Sequence, residues 1–355
     1  MIREKKKCIG LIFGGNSNEH EVSISSAKTV FQAFNSEINK QRFTVKAFYI
    51  NKHGDWLDCD FSEKILISEI KINYAKKQKL CNQEKINFLS GIEFQHIDVW
   101  FPLLHGFNGE DGSIHGLLKY TKKPFVGCGV LGSALGMDKI MSKRIFSNLK
   151  IPQVNYLAFQ NEDLNDKKVK NRIISEIVKN LNFPVFVKPS NSGSSLGISK
   201  VINESKITQA LEKAREIDPR ILVEEGLEVR EIECGIIGNS KLLTSEIGEV
   251  TYKSDWYDYD SKYNSHNKIT IPAQIDSKIK KEIKEIAIQS CKALNIFGFA
   301  RVDFFLEKSS NKIFLNEINT IPGFTKNSMF PMLWKASGLN IEQLVAKLVD
   351  ITLDL

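Results

Sequence analysis

Two apolar segments near the carboxyl end, Arg301-Val302-Asp303-Phe304-Phe305-Leu306 and Ile313-Phe314-Leu315-Asn316-Glu317-Ile318-Asn319, flank the polar, turn-prone stretch Lys308-Ser309-Ser310-Asn311. That pattern reads as a β-hairpin. Folding it back sets Asp303 opposite Asn316 or Glu317. Side chains two apart on a strand share a face, so Arg301, Asp303, Glu317 and Asn319 can converge at one end. Apolar residues dominate elsewhere, which makes the hairpin largely buried. Two carboxylates and an amide beside such a core are costly unless a positive charge sits among them. All-oxygen donors of this kind suit magnesium, above all magnesium shared with a substrate phosphate. An Arg301–carboxylate salt bridge would serve equally, and the hairpin alone does not choose between the two.

A chain of 355 residues is too long for one minimal core, and two or three domains are expected. Its net charge of +7 is spread along the sequence, not gathered into a patch. The densest basic stretch, Lys71 to Lys85, has one aromatic residue and no nucleic-acid motif, so it reads as solvated surface. No nucleic-acid partner is expected. The apolar run Cys8–Phe13 is too short for a secretory signal and ends in Gly14-Gly15, so a first strand fits it better. No other run reaches transmembrane length, and no membrane partner is expected. The six cysteines form no Cys-x-x-Cys pair, as buried free thiols in a reducing cytoplasm would not.

Strand and helix alternate through the first third. Cys8–Phe13, Phe43–Ile50 and Val99–Leu104 read as strands. One helix, capped by Asn18 with Glu21, runs to Phe34, and another spans Ser113–Tyr120. This predicts an α/β fold that starts with a doubly wound, parallel-sheet domain over 1–130. Residues 60–90 read as a polar surface insertion. A second unit, 131–225, holds a helix over Met137–Leu149, another over Ile173–Leu181, and the strands Val185–Lys188 and Leu222–Glu224. A third, 226–355, carries a strand over Glu231–Gly238, a polar-aromatic loop at 251–267, a helix over Ser277–Leu294, the hairpin and a closing helix.

Three loops gather polar chemistry. Lys188 ends an apolar strand and leads into Pro189-Ser190-Asn191-Ser192-Gly193-Ser194-Ser195-Leu196-Gly197. Glycine and serine there can bring N–H and hydroxyl donors onto phosphate. The lysine precedes the glycines, so this is not a Walker loop. His105-Gly106 to Gly112 and Gly14 to Glu21 both follow strands, where open α/β sheets bind ligands. His105 taken alone fits a hydrogen-bonded structural role, and Glu19 alone a carboxylate at a helix start. Their shared position at strand ends points to a common cleft.

His105-Gly-x-x-Gly-Glu110-Asp111-Gly112, Met137-Asp138-Lys139, Lys188-Pro189 with Gly193-Ser194-Ser195-x-Gly197, Tyr257-Asp258-Tyr259-x-x-Lys262-Tyr263, and Arg301-x-Asp303 with Asn316-Glu317-x-Asn319-Thr320-x-Pro322-Gly323 stand in order along the chain. Their order and spacing resemble D-alanine–D-alanine ligases of the ATP-grasp superfamily, from Gly14 to about Met332. The resemblance implies an ATP-grasp fold of two α+β subdomains behind the first domain, with a lid at 251–267. It implies that ATP and two D-alanines yield D-alanyl-D-alanine, ADP and phosphate for peptidoglycan precursors, in the cytoplasm. It implies two magnesium ions, replaceable by manganese, on Asp303, Glu317 and Asn319.

Carried over residue by residue, the resemblance places Lys139, Lys188, Ser194, Ser195, Asn316, Glu317 and the lid's Lys262 on ATP. Glu224, Glu225 and Leu227 take its adenine end, and Glu231 the ribose. Glu19, linked to Ser194 and Tyr263, and near His105, would hold the first D-alanine. Arg301 and the Gly323 N–H would hold the developing oxyanion. Ser328 and Met329 would take the second carboxylate. Sibling D-alanyl-D-lactate or D-alanyl-D-serine ligases, another ATP-grasp carboxylate–amine ligase and a silent nucleotide-binding protein are the alternatives. The joint presence of Lys139, Lys188, Arg301, Asp303, Glu317 and Asn319 argues against the last. A homodimer is compatible with the sequence, which does not itself give the oligomeric state.

Overall fold

The computed structural model describes residues 5–67, 94–160, 164–251 and 268–354. Alternation along the first strands sets up two cores. Strands β1 (Lys7–Gly14) and β2 (Phe43–Ile50) pair in parallel, the short β3 (Trp56–Leu57) adds antiparallel to β2, and β4 (Val99–Pro102) flanks β1, giving the order β3-β2-β1-β4. Ile9, Leu11 and Phe13 on β1, with Val99 and Phe101 on β4, face one core with helix His20–Phe34. Ile12 and Trp100 face the other, with helix Ser113–Lys119. This period of two is what a sheet covered on both faces requires. Gly10 permits it locally, because a Cβ there would lie 2.4 Å from the Trp100 ring. The first helix starts after Glu19 and has no side-chain cap, so the cap expected from Asn18 and Glu21 is not formed. Instead Ser17 Oγ accepts from the Glu19 N–H.

The middle sheet is antiparallel. Strands β5 (Tyr156–Gln160), β6 (Val185–Pro189), β7 (Ser199–Val201) and β8 (Arg220–Glu225) lie in the order β5-β8-β6-β7. Val185, Val187, Ile221 and Val223 face a core shared with helices Lys167–Asn180 and Ile207–Arg215. Phe186, Lys188, Leu222 and Glu224 therefore face the other way, and register places Phe186 opposite Glu224.

The third sheet has five strands: β9 (Val229–Gly238), β10 (Leu242–Thr251), β11 (Lys268–Thr270), β12 (Gly298–Glu307) and β13 (Ile313–Asn319), in the order β11-β10-β9-β12-β13. Ile232, Cys234, Val302, Phe304, Leu315 and Ile318 pack with helix Ser277–Ala293 on one face. Cys128, Phe146 and Ile151 join the same core. The closing helix Ile341–Leu353 sends Leu344, Val345 and Leu348 into the first core, beside Phe34 and Phe101. Of the described cysteines, Cys128, Cys234 and Cys291 are buried free thiols, whereas Cys8 and Cys59 are only half-buried. No helix among the described residues is long and apolar enough to cross a membrane.

Candidate active site

A cleft of about 640 Å³ gathers side chains from the second and third sheets, from the first helix, and from the loops around them. Its floor is the polar face of β9, β12 and β13. Register aligns Glu233 with Asp303 and Asp303 with Glu317, while Arg301 pairs with Asn319. The hairpin expectation holds, with Glu317 as the residue opposite Asp303. A bulge follows at once, because Phe304 pairs with Leu315 and leaves Asn316 as an extra residue. Bulges re-aim side chains. Here Leu315 and Ile318 stay in the core while Asn316, Glu317 and Asn319 all line the cleft.

The salt-bridge reading of the hairpin's polar end is formed. Arg301 Nε and Nη2 donate to Asp303 at 2.7 and 2.6 Å, and Nε lies 2.8 Å from a Glu233 oxygen. Asn319 donates to Asp303 at 2.9 Å. Burial works against the Arg301 charge, but the carboxylates of Asp303 and Glu233 more than offset it, so its pKa is driven well above the usual range. Among the described residues no three of His, Cys, Asp or Glu converge closely enough to hold an ion as they stand. Chemically the oxygen donors of Asp303, Glu317 and Asn319 still fit magnesium. A carboxylate oxygen that accepts one hydrogen bond keeps a further lone pair for a metal.

The facing wall starts at Asp138, the N-cap of the helix Lys139–Asn148; the helix expected over Met137–Leu149 thus begins two residues later, and a separate helix, Val130–Met137, precedes it. The Asp138 carboxylate caps the second helix by accepting from Ile140 and Met141 N–H, and it takes further bonds from Ser190 Oγ and Arg220. This hub ties the helix start to the glycine/serine loop. Lys139 then reaches over that loop, donating to the Ser192 carbonyl at 2.6 Å and lying 3.4 Å from Glu317. Ser194 and Ser195 sit at φ +50° and +58°, a conformation that a loop adopts only under tertiary constraint.

Behind Lys188, Glu224 is enclosed by two lysines. One oxygen pairs with Lys188 and the other with Lys143 at 2.6 Å. Burial raises the carboxyl pKa, yet the two ammonium groups outweigh it and bring it to about 2. The same burial lowers Lys143, whereas for Lys188 the nearby carboxylates prevail and raise it.

The first domain closes the remaining side. Ser194 Oγ donates to Glu19 at 2.5 Å, linking the helix His20–Phe34 start to the phosphate-type loop. Gly106 sits at φ +73°, and a Cβ there would lie 2.7 Å from Glu19 Oε2. His105 is almost fully buried as a brace. Its Nδ1 meets the Ile321 carbonyl at 2.9 Å, and Nε2 meets Ser26 Oγ at 2.9 Å, while Ser26 also accepts from Phe324 N–H. The brace fixes the loop carrying Gly323, Ser328 and Met329 against the first domain, and all three line the cleft.

Of the residues singled out in the sequence, the cleft collects Glu19, His105, Lys139, Lys188, Ser194, Ser195, Glu231, Arg301, Asp303, Asn316, Glu317, Asn319, Gly323, Ser328 and Met329. It does not collect Glu224, which lies behind Lys188, nor Leu227. Glu225 is held outside by Asn155 and Asn182. Lys262 and Tyr263, with the rest of 252–267, lie outside the described residues. Glu233 and Ser192 line the cleft and Lys143 lies behind it against Glu224, and the sequence reading assigned none of them a place there. Their signal lay in strand parity and helical spacing: Glu233 is two from Glu231, and Lys143 is four from Lys139.

Two family models match, "D-ala D-ala ligase N-terminus" over residues 8–128 and "D-ala D-ala ligase C-terminus" over 145–350. A D-alanine–D-alanine ligase of Prochlorococcus marinus strain AS9601 is 83% identical over 355 residues, covering all of both chains. Another, from strain NATL1A, is 48% identical over 98% of each. Among solved structures, the D-alanine–D-alanine ligase of Coxiella burnetii aligns with a TM-score of 0.82 at 31% identity, covering 98% of this chain and 94% of that one. The VanG D-Ala:D-Ser ligase of Enterococcus faecalis aligns at 0.80 and 35%, covering 98% and 100%. With matched models spanning most of its length and full-length relatives at this identity, the chain belongs to the D-alanine–D-alanine ligase family.

Proposed function

We infer that this chain joins two D-alanines into D-alanyl-D-alanine at the expense of ATP, supplying peptidoglycan precursors. The observation that carries the reading is a single cleft in which lysines 139 and 188 face the oxygen-rich row of Asp303, Glu317 and Asn319. Nucleotide phosphates need the first wall, and phosphate-bound magnesium suits the second. Two magnesium ions, or manganese in their place, would be held by Asp303, Glu317 and Asn319 and would supply charge neutralisation at the phosphates.

The chain's own groups account for the remaining demands. Glu19, oriented by Ser194, receives the ammonium of the first D-alanine. The carboxylate of that D-alanine attacks the γ-phosphate, giving D-alanyl phosphate and ADP, while Lys139 and Lys188 hold phosphate oxygens. The second D-alanine sits with its carboxylate at Ser328 and the Met329 N–H, and its amine attacks the acyl carbon. Arg301 and the Gly323 N–H stabilise the tetrahedral oxyanion before phosphate leaves. Phosphate release from ATP in the presence of D-alanine, L-alanine, D-serine or D-lactate tests the reading. D-alanine should be used best, and release that ignores the amino acid would overturn it. The 35% identity to a D-Ala:D-Ser ligase supports a second reading, in which D-serine fills the second position. A D-alanyl-D-serine product favoured over D-alanyl-D-alanine in a mixture of both amino acids would select it.

A further inference from the structure

Lys143 is 2% exposed, one helical turn beyond Lys139 in the helix Lys139–Asn148. Its ammonium lies 2.6 Å from Glu224 Oε1 and 5.2 Å from the centre of the Tyr156 ring. Glu224 is equally buried, and its other oxygen is paired with Lys188. Lys188 reaches the cleft, whereas neither Lys143 nor Glu224 contributes to its wall. One carboxylate thus serves two ammonium groups.

Charge decides what the cleft feels. A Lys188–Glu224 pair alone would present zero net charge to an approaching phosphate, and its short ion pair would compete with that phosphate for the lysine. A second buried lysine on the same carboxylate leaves a net positive charge and divides the pull of Glu224 between two partners. In a site shielded from water such a charge acts over several ångströms with little screening.

We propose that Lys143 is a positioning residue for nucleotide binding: by sharing Glu224 it holds Lys188 in place and leaves that lysine's charge available to the nucleotide phosphates. The proposal rests on the reading of Lys188 as a phosphate contact. An ordinary buried ion pair would instead affect folding and treat all ligands alike.

The test compares how ADP and adenosine inhibit ATP-dependent phosphate release in the full-length enzyme. Lys143→Gln keeps a hydrogen-bond donor for Glu224 but removes the charge. Its ADP inhibition constant should rise about tenfold, while that of adenosine stays within about twofold. Lys143→Arg, which restores the charge, should recover most of the preference for ADP. Equal weakening of both ligands, or unchanged ADP inhibition in Lys143→Gln, would overturn the proposal. Should Lys143→Gln not accumulate as folded protein, Lys143→Arg decides: a wild-type ADP-over-adenosine ratio supports charge sharing, and loss of that ratio overturns it. Lys188→Gln separates the two layers. If it leaves ADP inhibition unchanged, the phosphate role of Lys188 falls; if it weakens ADP and Lys143→Gln does not, only the role of Lys143 falls.

Discussion

Arg301 holds Asp303 from two positions away on the same strand, through two parallel hydrogen bonds of 2.7 and 2.6 Å. Glu233 on the adjacent strand meets the same guanidinium at 2.8 Å. If Asp303 also serves a metal, its hold on Arg301 weakens, and Glu233 becomes the anchor that resists repulsion between guanidinium and cation. Glu233→Gln should therefore lower kcat roughly tenfold or more, the scale of a lost charge-assisted contact to a catalytic donor. Its magnesium requirement should stay near wild type. Combined with Arg301→Lys, it should cost little beyond Arg301→Lys alone, because both changes act on one interaction. Strictly additive losses would disconnect the two residues.

Asp303→Asn should shift the magnesium dependence instead. Removing one negative donor at nearly constant volume weakens a hard-cation site, so half-maximal rate should need at least about tenfold more free magnesium. The same substitution loosens Arg301, so saturating metal should not restore full kcat. Initial rates across a magnesium titration separate the effects, and a wild-type titration curve would leave Asp303 with the salt-bridge role alone.

Gly106→Ala probes the first substrate position. At φ +73° with Glu19 Oε2 2.7 Å from the added carbon, alanine must displace either the loop or the carboxylate. The KM for D-alanine at the tighter site should rise while ATP affinity holds, and stability should fall by about 1–3 kcal/mol. Substrate titrations and thermal unfolding read the two effects, and an unchanged KM would mean that Glu19 does not contact the amino acid.

His115 gives a pH signature. It is fully buried, and burial brings its pKa down to about 4 from an ordinary 6.5. The folded state therefore keeps it neutral, whereas the unfolded chain protonates it below pH 6.5. Its share of stability is intact above that value and lost progressively as pH falls from 6.5 towards 4, by about 3 kcal/mol in all. His115→Gln should flatten this part of the profile. Thermal unfolding at pH 7 and pH 5 provides the check, with an unchanged difference between the two pH values counting against it.

Much of this is legible in the sequence, for reasons that differ by element. The Arg301–Asn319 hairpin is legible because a short polar turn separates two apolar runs. Its register stays open between Asn316 and Glu317, because nothing local marks the bulge that settles it. The helix Val130–Met137 carries little local signal because Gly132 and Gly136 weaken its helical propensity, and the next helix starts at Lys139, not Met137, because of the capping chemistry of Asp138. Lys143 is hidden for a different reason. A lysine on an amphipathic helix reads as solvated until the strand bearing Glu224 is known to lie beneath it. Glu233 depends on β9 pairing with β12, a contact across some seventy residues that no local pattern encodes. The lysines, serines and glycines of the phosphate-type loop were readable because their chemistry is local.

The extra residue at Asn316 works as a change of phase in β13. Before it, odd-numbered positions Ile313 and Leu315 point into the core; after it, odd-numbered Glu317 and Asn319 point out. One strand thereby serves a dry interior and a charged surface without a break in its hydrogen-bonded pairing with β12 on either side. The polar open end and the apolar stem of this hairpin are thereby set independently, with the bulge as the joint between them. Straightening the bulge while keeping every residue would drive Glu317 and Asn319 towards the interior and lift Ile318 into the water, because strict alternation from Leu315 puts every second residue inside.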